Sequence, residues 1–420
     1  MNFLSSLKKS VSVSKHLFAY QVGERAFFFV FFLLIARTLP TEIFGEFSSV
    51  FTLAGVICIF FDFGLPIHLQ KTLAEKRHNN SKIVSEALWF FVFISMLSLI
   101  LSLIIISRFY SQTNILIIFL ITFSVILMTG ITNLNAILLA HQKYKNILTS
   151  LIWTRPLIIF FTLILLLTKH AQIEYYAGIW LAGIVFQILT LVWYLRNLNL
   201  KIILPTLRNI LLLVTTTGPL GVAVVFNYLY DKVDVLLISK ILDFSQVAYY
   251  AVPYGIYKST SLAFGFLLVS GLNRISSVSR RTSAIWLFFK YYSRFLLVIS
   301  LPLSFLLFVL SDKILLLLYG NVYVQSTLVL KILSLGLIGM SLNNLTGVIL
   351  NGIGKYKVNM YIVMSAFLSN IIVNYLLLPY YGIVASAVIT VITEYYIFFV
   401  GFINILKFVG FINILKLEDH

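Results

Sequence analysis

Charge is scarce in this chain of 420 residues: Asp, Glu, Lys and Arg together make up 11% of it, less than half the share usual for soluble proteins. That shortage excludes an ordinary water-soluble domain. Cysteine is nearly absent, since Cys58 stands alone inside an apolar stretch, so one chain can build neither a disulfide nor a Cys-based metal site. No HExxH, GxSxG or P-loop pattern is present, and the six His residues are scattered near helix ends. The sequence therefore offers no cofactor site, no metal site and no catalytic constellation, which argues against an enzyme. A membrane polysaccharide polymerase or acyltransferase would need a sizeable outer loop or a clustered His/Asp/Arg site, and neither is found. Acidic residues number only 14 against 31 Lys and Arg, for a net charge of +17. The basic residues are spread over short loops instead of gathered on an arm or patch, so nucleic acid is not the implied partner.

What is abundant is apolar surface. Hydrophobic residues reach 60% and the mean hydropathy is +1.00. A bilayer core takes roughly 20 residues per helix, so about twelve spans use nearly all of them. The pattern predicts an all-α integral membrane protein with spans near 17–36, 46–66, 83–107, 115–138, 147–168, 175–195, 209–230, 246–270, 286–310, 326–350, 358–378 and 382–406. The basic N-terminal stretch ahead of the first span mimics a secretion signal, but no small-residue cleavage site follows and the apolar run continues to Ala36. An uncleaved first helix is expected.

Alternate loops carry 21 of the Lys and Arg residues and the opposite set carries 6. By the positive-inside rule both termini lie in the cytoplasm. An internal repeat divides the chain: Asn133-Leu-Asn-Ala-Ile-Leu-Leu-Ala, followed by Lys143-Tyr-Lys, recurs as Asn344-Leu-Thr-Gly-Val-Ile-Leu-Asn, followed by Lys355-Tyr-Lys. A fainter echo pairs Phe44-Gly-Glu-Phe-Ser with Val247-Ala-Tyr-Tyr-Ala. Two six-helix lobes, 1–200 and 201–420, related by an axis along the membrane normal, are the expected organisation. The tail repeats Val-Gly-Phe-Ile-Asn-Ile-Leu-Lys, from 400 and again from 409, a local duplication expected to lengthen the last helix.

Charges retained inside spans are costly and mark function by default. Arg25, Arg155, Lys258 and Lys331 are cations at bilayer depth drawn from both halves, suited to a pyrophosphate in a cavity between them. The rival reading is that each snorkels or pairs locally. Tyr250, Tyr254 and Tyr257 share one face of their helix and offer rings for stacking on sugars. Glu24 and Glu394 are the carboxylates placed to take up a proton or a cation. Asp62, Pro219 and Asp234 are assigned structural or gating roles: Asp62 in an Asp-Phe-Gly-Leu-Pro turn, Pro219 as a helix kink, and Asp234 with Asp231 at a helix end facing water or Lys232. Asn133, Asn135, Asn343, Asn344, Asn370 and Asn374 are embedded amides expected to bond between helices.

The run from Arg37 to Arg77, with its Phe-Gly-x-Phe-Ser turn and Asp-Phe-Gly-Leu-Pro ending, resembles the first two membrane helices of the polysaccharide flippases and exporters of the MOP superfamily. Asp231-Lys-Val-Asp-Val-Leu-Leu-Ile-Ser, Leu318-Tyr-Gly-Asn through Asn351-Gly-Ile-Gly-Lys-Tyr, and Leu376-Leu-Leu-Pro-Tyr-Tyr-Gly extend the resemblance along nearly the whole chain. Twelve spans resemble the Wzx-type O-antigen flippases; lipid II flippases usually carry fourteen. The resemblance implies alternating-access export of an undecaprenyl-pyrophosphate-linked oligosaccharide across a bacterial inner membrane, with the lipid bilayer and a polysaccharide polymerase as partners. A MATE-like small-molecule antiporter is the alternative.

Overall fold

The structure, a computed structural model, describes residues 3–75, 80–168, 172–198, 200–201, 203–278 and 282–410; over 3–14 and parts of 207–223 and 261–278 the backbone alone is described. Among these residues the chain is helical and contains no strand. Its elements are α1 (Phe3–Thr38), α2 (Thr41–Asp62), α3 (Leu65–Glu75), α4 (Asn80–Phe109), α5 (Ile115–Ala140), α6 (Tyr144–Leu167), α7 (Ile173–Arg196), α8 (Leu207–Ile241), α9 (Phe244–Val278), α10 (Thr282–Val309), α11 (Ser311–Tyr319), a 3-10 turn (Asn321–Ser326), α12 (Thr327–Gly352), α13 (Tyr356–Tyr381) and α14 (Ile383–Val409). Leaving aside the short α3 and α11, twelve long helices remain, and among the described residues ten spans are long and apolar enough to cross a bilayer. The two long helices outside that set, α8 and α9, are the ones that carry Asp231, Lys232, Asp234 and Lys258.

Local chemistry sets the breaks. Pro40 separates α1 from α2 with φ −52° and ψ 146°, as expected where proline forbids a continuing helix. Phe63 and Gly64 both take positive φ (50° and 67°) and divide α2 from α3. Gly382, at φ 58° and ψ −152°, joins α13 to α14 in a conformation open only to glycine. Pro156, Pro253, Pro302 and Pro379 lie inside α6, α9, α10 and α13. Such prolines are tolerated in membrane helices, where neighbouring helices and local adjustments re-satisfy the freed carbonyls.

Two compact units result, Met1–Tyr228 and Leu229–His420, with the division inside α8. In the first, α5 is the central helix, packed by α2, α3, α4, α6 and α7. In the second, α12 holds that place among α9, α10, α11, α13 and α14. These are the two helices that carry the Asn133 and Asn344 copies of the repeat. The outer faces are greasy: Phe93 and Met96 are each 64% exposed and Val298 is 70% exposed. A water-soluble protein rarely shows so much contiguous apolar surface, whereas lipid solvates it.

α8 extends to Ile241, beyond the end at 230 that hydropathy suggests. Asp231 and Asp234 are therefore inside a helix, not at its outer end. The second copy of the tail duplication lies, from 411 onward, outside the described residues.

Candidate functional site

Polar side chains gather inside each unit. In the N-terminal unit, Tyr20 and Glu24 stand four residues apart on α1 and so share a face. Arg25, the next position, is turned away from that face and is exposed. Asn135 of α5 donates through Nδ2 to Tyr20 Oη at 2.9 Å, and Tyr20 hydrogen-bonds Glu24 in turn. Arg155 of α6 is only 2% exposed and lies within electrostatic reach of Glu24 and Tyr20. Its guanidinium carbon sits 4.9 Å from the centroid of Trp180 on α7, a cation–π contact that gains from being withdrawn from water. Trp180 itself stacks on Phe31 with centroids 4.4 Å apart. Asp62 is the last residue of α2, and its carboxylate accepts from the Gly64 backbone. The side chain of Pro219 is outside those described.

The C-terminal unit holds a larger network. Tyr250, Tyr254 and Tyr257 on α9 line one face, as do Asn370 and Asn374 on α13 and Ser386, Thr390 and Glu394 on α14, because each set repeats at three or four residues. Asp234, 4% exposed, accepts on Oδ2 from Tyr250 Oη at 2.7 Å and Thr390 Oγ1 at 2.8 Å, and on Oδ1 from Asn374 Nδ2 at 3.1 Å. Asn374 also donates to Asn370 Oδ1 at 2.9 Å and accepts from Ser386 Oγ at 2.6 Å. A buried carboxylate survives in a low-dielectric interior when donors surround it in this way.

Three residues earlier on α8, Asp231 meets two ammonium groups. Lys258 Nζ lies 2.7 Å from Oδ1 and Lys232 Nζ lies 3.0 Å from Oδ2. Tyr254 Oη donates to Oδ1 at 2.8 Å. Lys258 also faces the Tyr254 and Tyr257 rings, at 5.5 and 5.9 Å from their centroids, and Met340 Sδ at 3.8 Å. Glu394 of α14 accepts from Asn343 Nδ2 at 2.8 Å and from Tyr230, and its charge acts on Lys258. Lys331 of α12 lies 5.7 Å from the Phe308 centroid. No three His, Cys, Asp or Glu side chains come together as a metal cage among the described residues.

Apart from the Pro219 side chain, the predicted site residues are thus placed, but they do not form one set. Glu24 and Arg155 meet in the first unit. Asp234, Tyr250, Tyr254, Tyr257, Lys258 and Glu394 meet in the second. Lys331 stands with Phe308, and Arg25 is exposed beside the first group, its charge acting on Glu24. Tyr250 and Tyr257 are 1% and 0% exposed, and two of the three tyrosine hydroxyls serve carboxylates. Sequence reasoning passed over Trp180, Ser386 and Thr390, while the contact of Asp231 with Lys232 was expected. The Ser386, Thr390, Glu394 spacing along an apolar helix was a readable signal of a polar stripe; nothing in the sequence marks Trp180 as the partner of Arg155.

Known proteins agree with this architecture. The polysaccharide biosynthesis protein family matches residues 14–272, and the MatE family matches residues 219–376. An uncharacterized membrane protein of Methanocaldococcus jannaschii is 24% identical over 394 residues, which is 90% of this chain and 94% of that protein. The lipid II flippase MurJ in an inward closed conformation superposes with a TM-score of 0.76 at 18% identity, covering 97% of this chain and 90% of MurJ. An inward-facing multidrug resistance MATE family transporter of the MOP superfamily superposes at 0.72 with 13% identity, covering 94% and 95%. At those identities the likeness establishes the fold.

Proposed function

The chain belongs to the polysaccharide biosynthesis protein family, and on that premise we propose that it carries an undecaprenyl-pyrophosphate-linked oligosaccharide across a bacterial inner membrane by alternating access. The observation that carries the reading is Lys258: a lysine in a long helix of a membrane transporter, 30% exposed, flanked by tyrosine rings and open to a solute. An ammonium in such a place attracts an oxyanion more strongly than it would in water. Arg25, exposed on α1, is proposed as a second contact to the anionic headgroup, while the polyprenyl tail stays in lipid. Glu24 and Glu394 are the proposed coupling groups. Both termini are placed in the cytoplasm on the distribution of Lys and Arg.

A charge-assisted contact contributes roughly 1.5–3 kcal/mol, so losing one costs about tenfold or more in affinity. Lys258→Ala and Arg25→Ala are expected to accumulate lipid-linked oligosaccharide on the cytoplasmic side, measured by mass spectrometry of lipid extracts, at undiminished protein levels. Normal export by both variants at native expression rules out the cationic-headgroup mechanism.

A second reading has its own support. The polar network of the C-terminal unit contains three carboxylates, Asp231, Asp234 and Glu394, against two ammonium groups, Lys232 and Lys258. Its formal charge is negative, which suits a cationic solute, and the MatE match covers these helices as far as residue 376. Extrusion of organic cations by cells that carry the protein, with no change in lipid-linked sugars on its deletion, selects that reading.

A further inference from the structure

Asp231 occupies an unusual position for a carboxylate. Its two oxygens are divided between two lysines, Lys258 at 2.7 Å and Lys232 at 3.0 Å. A pair of ammonium groups held that close to one planar oxyanion is spaced to bracket any other oxyanion of similar size. The side chains are not sealed in: Lys258 is 30%, Lys232 32% and Asp231 28% exposed, so a solute can reach them. Asp231 would not be stranded on leaving the two lysines, because Tyr254 Oη also donates to it.

We propose that Lys232 and Lys258 form a two-ammonium clamp for a pyrophosphate, and that Asp231 is its resident placeholder, which keeps singly charged phosphates out. The proposal rests on the headgroup reading above and adds to it a rule of selectivity. A bilayer is crowded with phosphodiester lipids bearing one negative charge. An uncompensated cation at this depth would bind them indiscriminately. Exchanging the −1 of Asp231 for the −1 of a phosphodiester gains no Coulomb energy and still requires the carboxylate to be moved. A pyrophosphate carries more than one negative charge, so the same exchange is favourable, and its extra charge is met by two ammonium groups at once. Glu394, which also acts on Lys258, raises the threshold further. The tyrosine rings over Lys258 and the Met340 sulfur limit competing water on its other sides.

The test uses the full chain in nanodiscs of neutral lipid, with farnesyl pyrophosphate as the multiply charged probe, free inorganic pyrophosphate as the unanchored one, and phosphatidylglycerol as the phosphodiester. Wild type is expected to prefer farnesyl pyrophosphate to phosphatidylglycerol. Asp231→Asn is expected to bind phosphatidylglycerol about tenfold more tightly and so lose most of that preference. Lys258→Ala is expected to lose about tenfold in farnesyl pyrophosphate affinity. If Lys258→Ala loses affinity but the preference ratio of Asp231→Asn is unchanged, the placeholder idea is overturned and the headgroup reading stands. If Lys258→Ala binds like wild type, the headgroup reading itself fails. Free pyrophosphate binding as well as the farnesyl form assigns recognition to the phosphates alone and supports the clamp. Should Asp231→Asn not fold, Lys232→Gln decides: at an unchanged melting temperature, several-fold weaker pyrophosphate binding supports the clamp and unchanged binding overturns it.

Discussion

Gln142 and Gly354 occupy the same place in the two copies of the internal repeat, yet only one of them is suited to it. Each follows the central helix of its unit and takes a positive φ, 59° for Gln142 and 80° for Gly354. The same bonds close both ends: Lys143 N–H to Leu138 O and Lys355 N–H to Leu350 O, both at 2.8 Å. That is the six-to-one bond of a Schellman cap, whose left-handed residue is usually glycine. A side chain there costs about 1 kcal/mol. Gln142→Gly is therefore expected to raise the melting temperature by a few degrees, and Gly354→Gln to lower it by a similar amount, both read in detergent by thermal unfolding. Melting of Gly354→Gln at the wild-type temperature would show that this turn does not limit stability. The repeat was legible from sequence because Lys-Tyr-Lys and the Asn-rich stretch recur. The strain at Gln142 was not, because a glutamine carries no signal of a left-handed backbone. The carboxylates divide along the same line. That Glu24 and Glu394 are embedded follows from hydropathy alone, whereas Asp234, past the apolar run that stops at 230, was expected at a helix end and is found buried inside α8. That Asp231 also belongs to Lys258, and Arg155 to Trp180, depends on which helices pack together.

Helices are where the sequence spoke most clearly and where its silences have identifiable causes. The twelve long elements correspond to twelve apolar runs, since a helix satisfies all its backbone groups within one segment in lipid. α3 was missed because it follows α2 after only Phe63 and Gly64 and hides Leu65, Leu69 and Leu73 on a single stripe. α11, nine residues long, is too short to register as a span. The far end of α8 was cut short because Asp231, Lys232 and Asp234 depress its hydropathy, although they are the residues that its network employs. Close helix packing in such a bundle relies on small residues. On α7, Gly183 faces Ile158 of α6 so closely that an added methyl group would overlap the Ile158 side chain. Ile158 is 2% exposed and cannot swing aside into solvent. Gly183→Ala is expected to destabilise by about 1–3 kcal/mol, the range for overpacking. The double variant Gly183→Ala/Ile158→Ala should recover part of the loss, since the two sites share one volume. Equal stability of Gly183→Ala and wild type would mean that α6 and α7 separate without cost.

For the whole molecule the decisive quantity is the side of the membrane on which each loop lies. The positive-inside rule draws its force from the imbalance of 21 against 6 among Lys and Arg, too large for one miscounted loop to reverse. Where all twelve long helices among the described residues cross, the loops alternate strictly along the sequence. Two positions on each expected side then test the order. Cys58 is 4% exposed, so native background is low, and Cys58→Ala removes what remains. Single cysteines at Gln112 and Gln172, both exposed just before α5 and α7, are expected to react with a membrane-impermeant maleimide in intact cells. Cysteines at Thr206 and Lys355, exposed before α8 and α13, are expected to react only after the membrane is permeabilised. The four together are more informative than any one. Reversal of all four would keep the alternation and invert the protein, moving the Lys143 and Lys355 turns outside. A mixed result would mean that one long helix fails to cross, and the pair between which the pattern breaks would identify it. α8 is the element most exposed to that failure, because its charged residues must be sheltered by the unit around them before lipid will accept it.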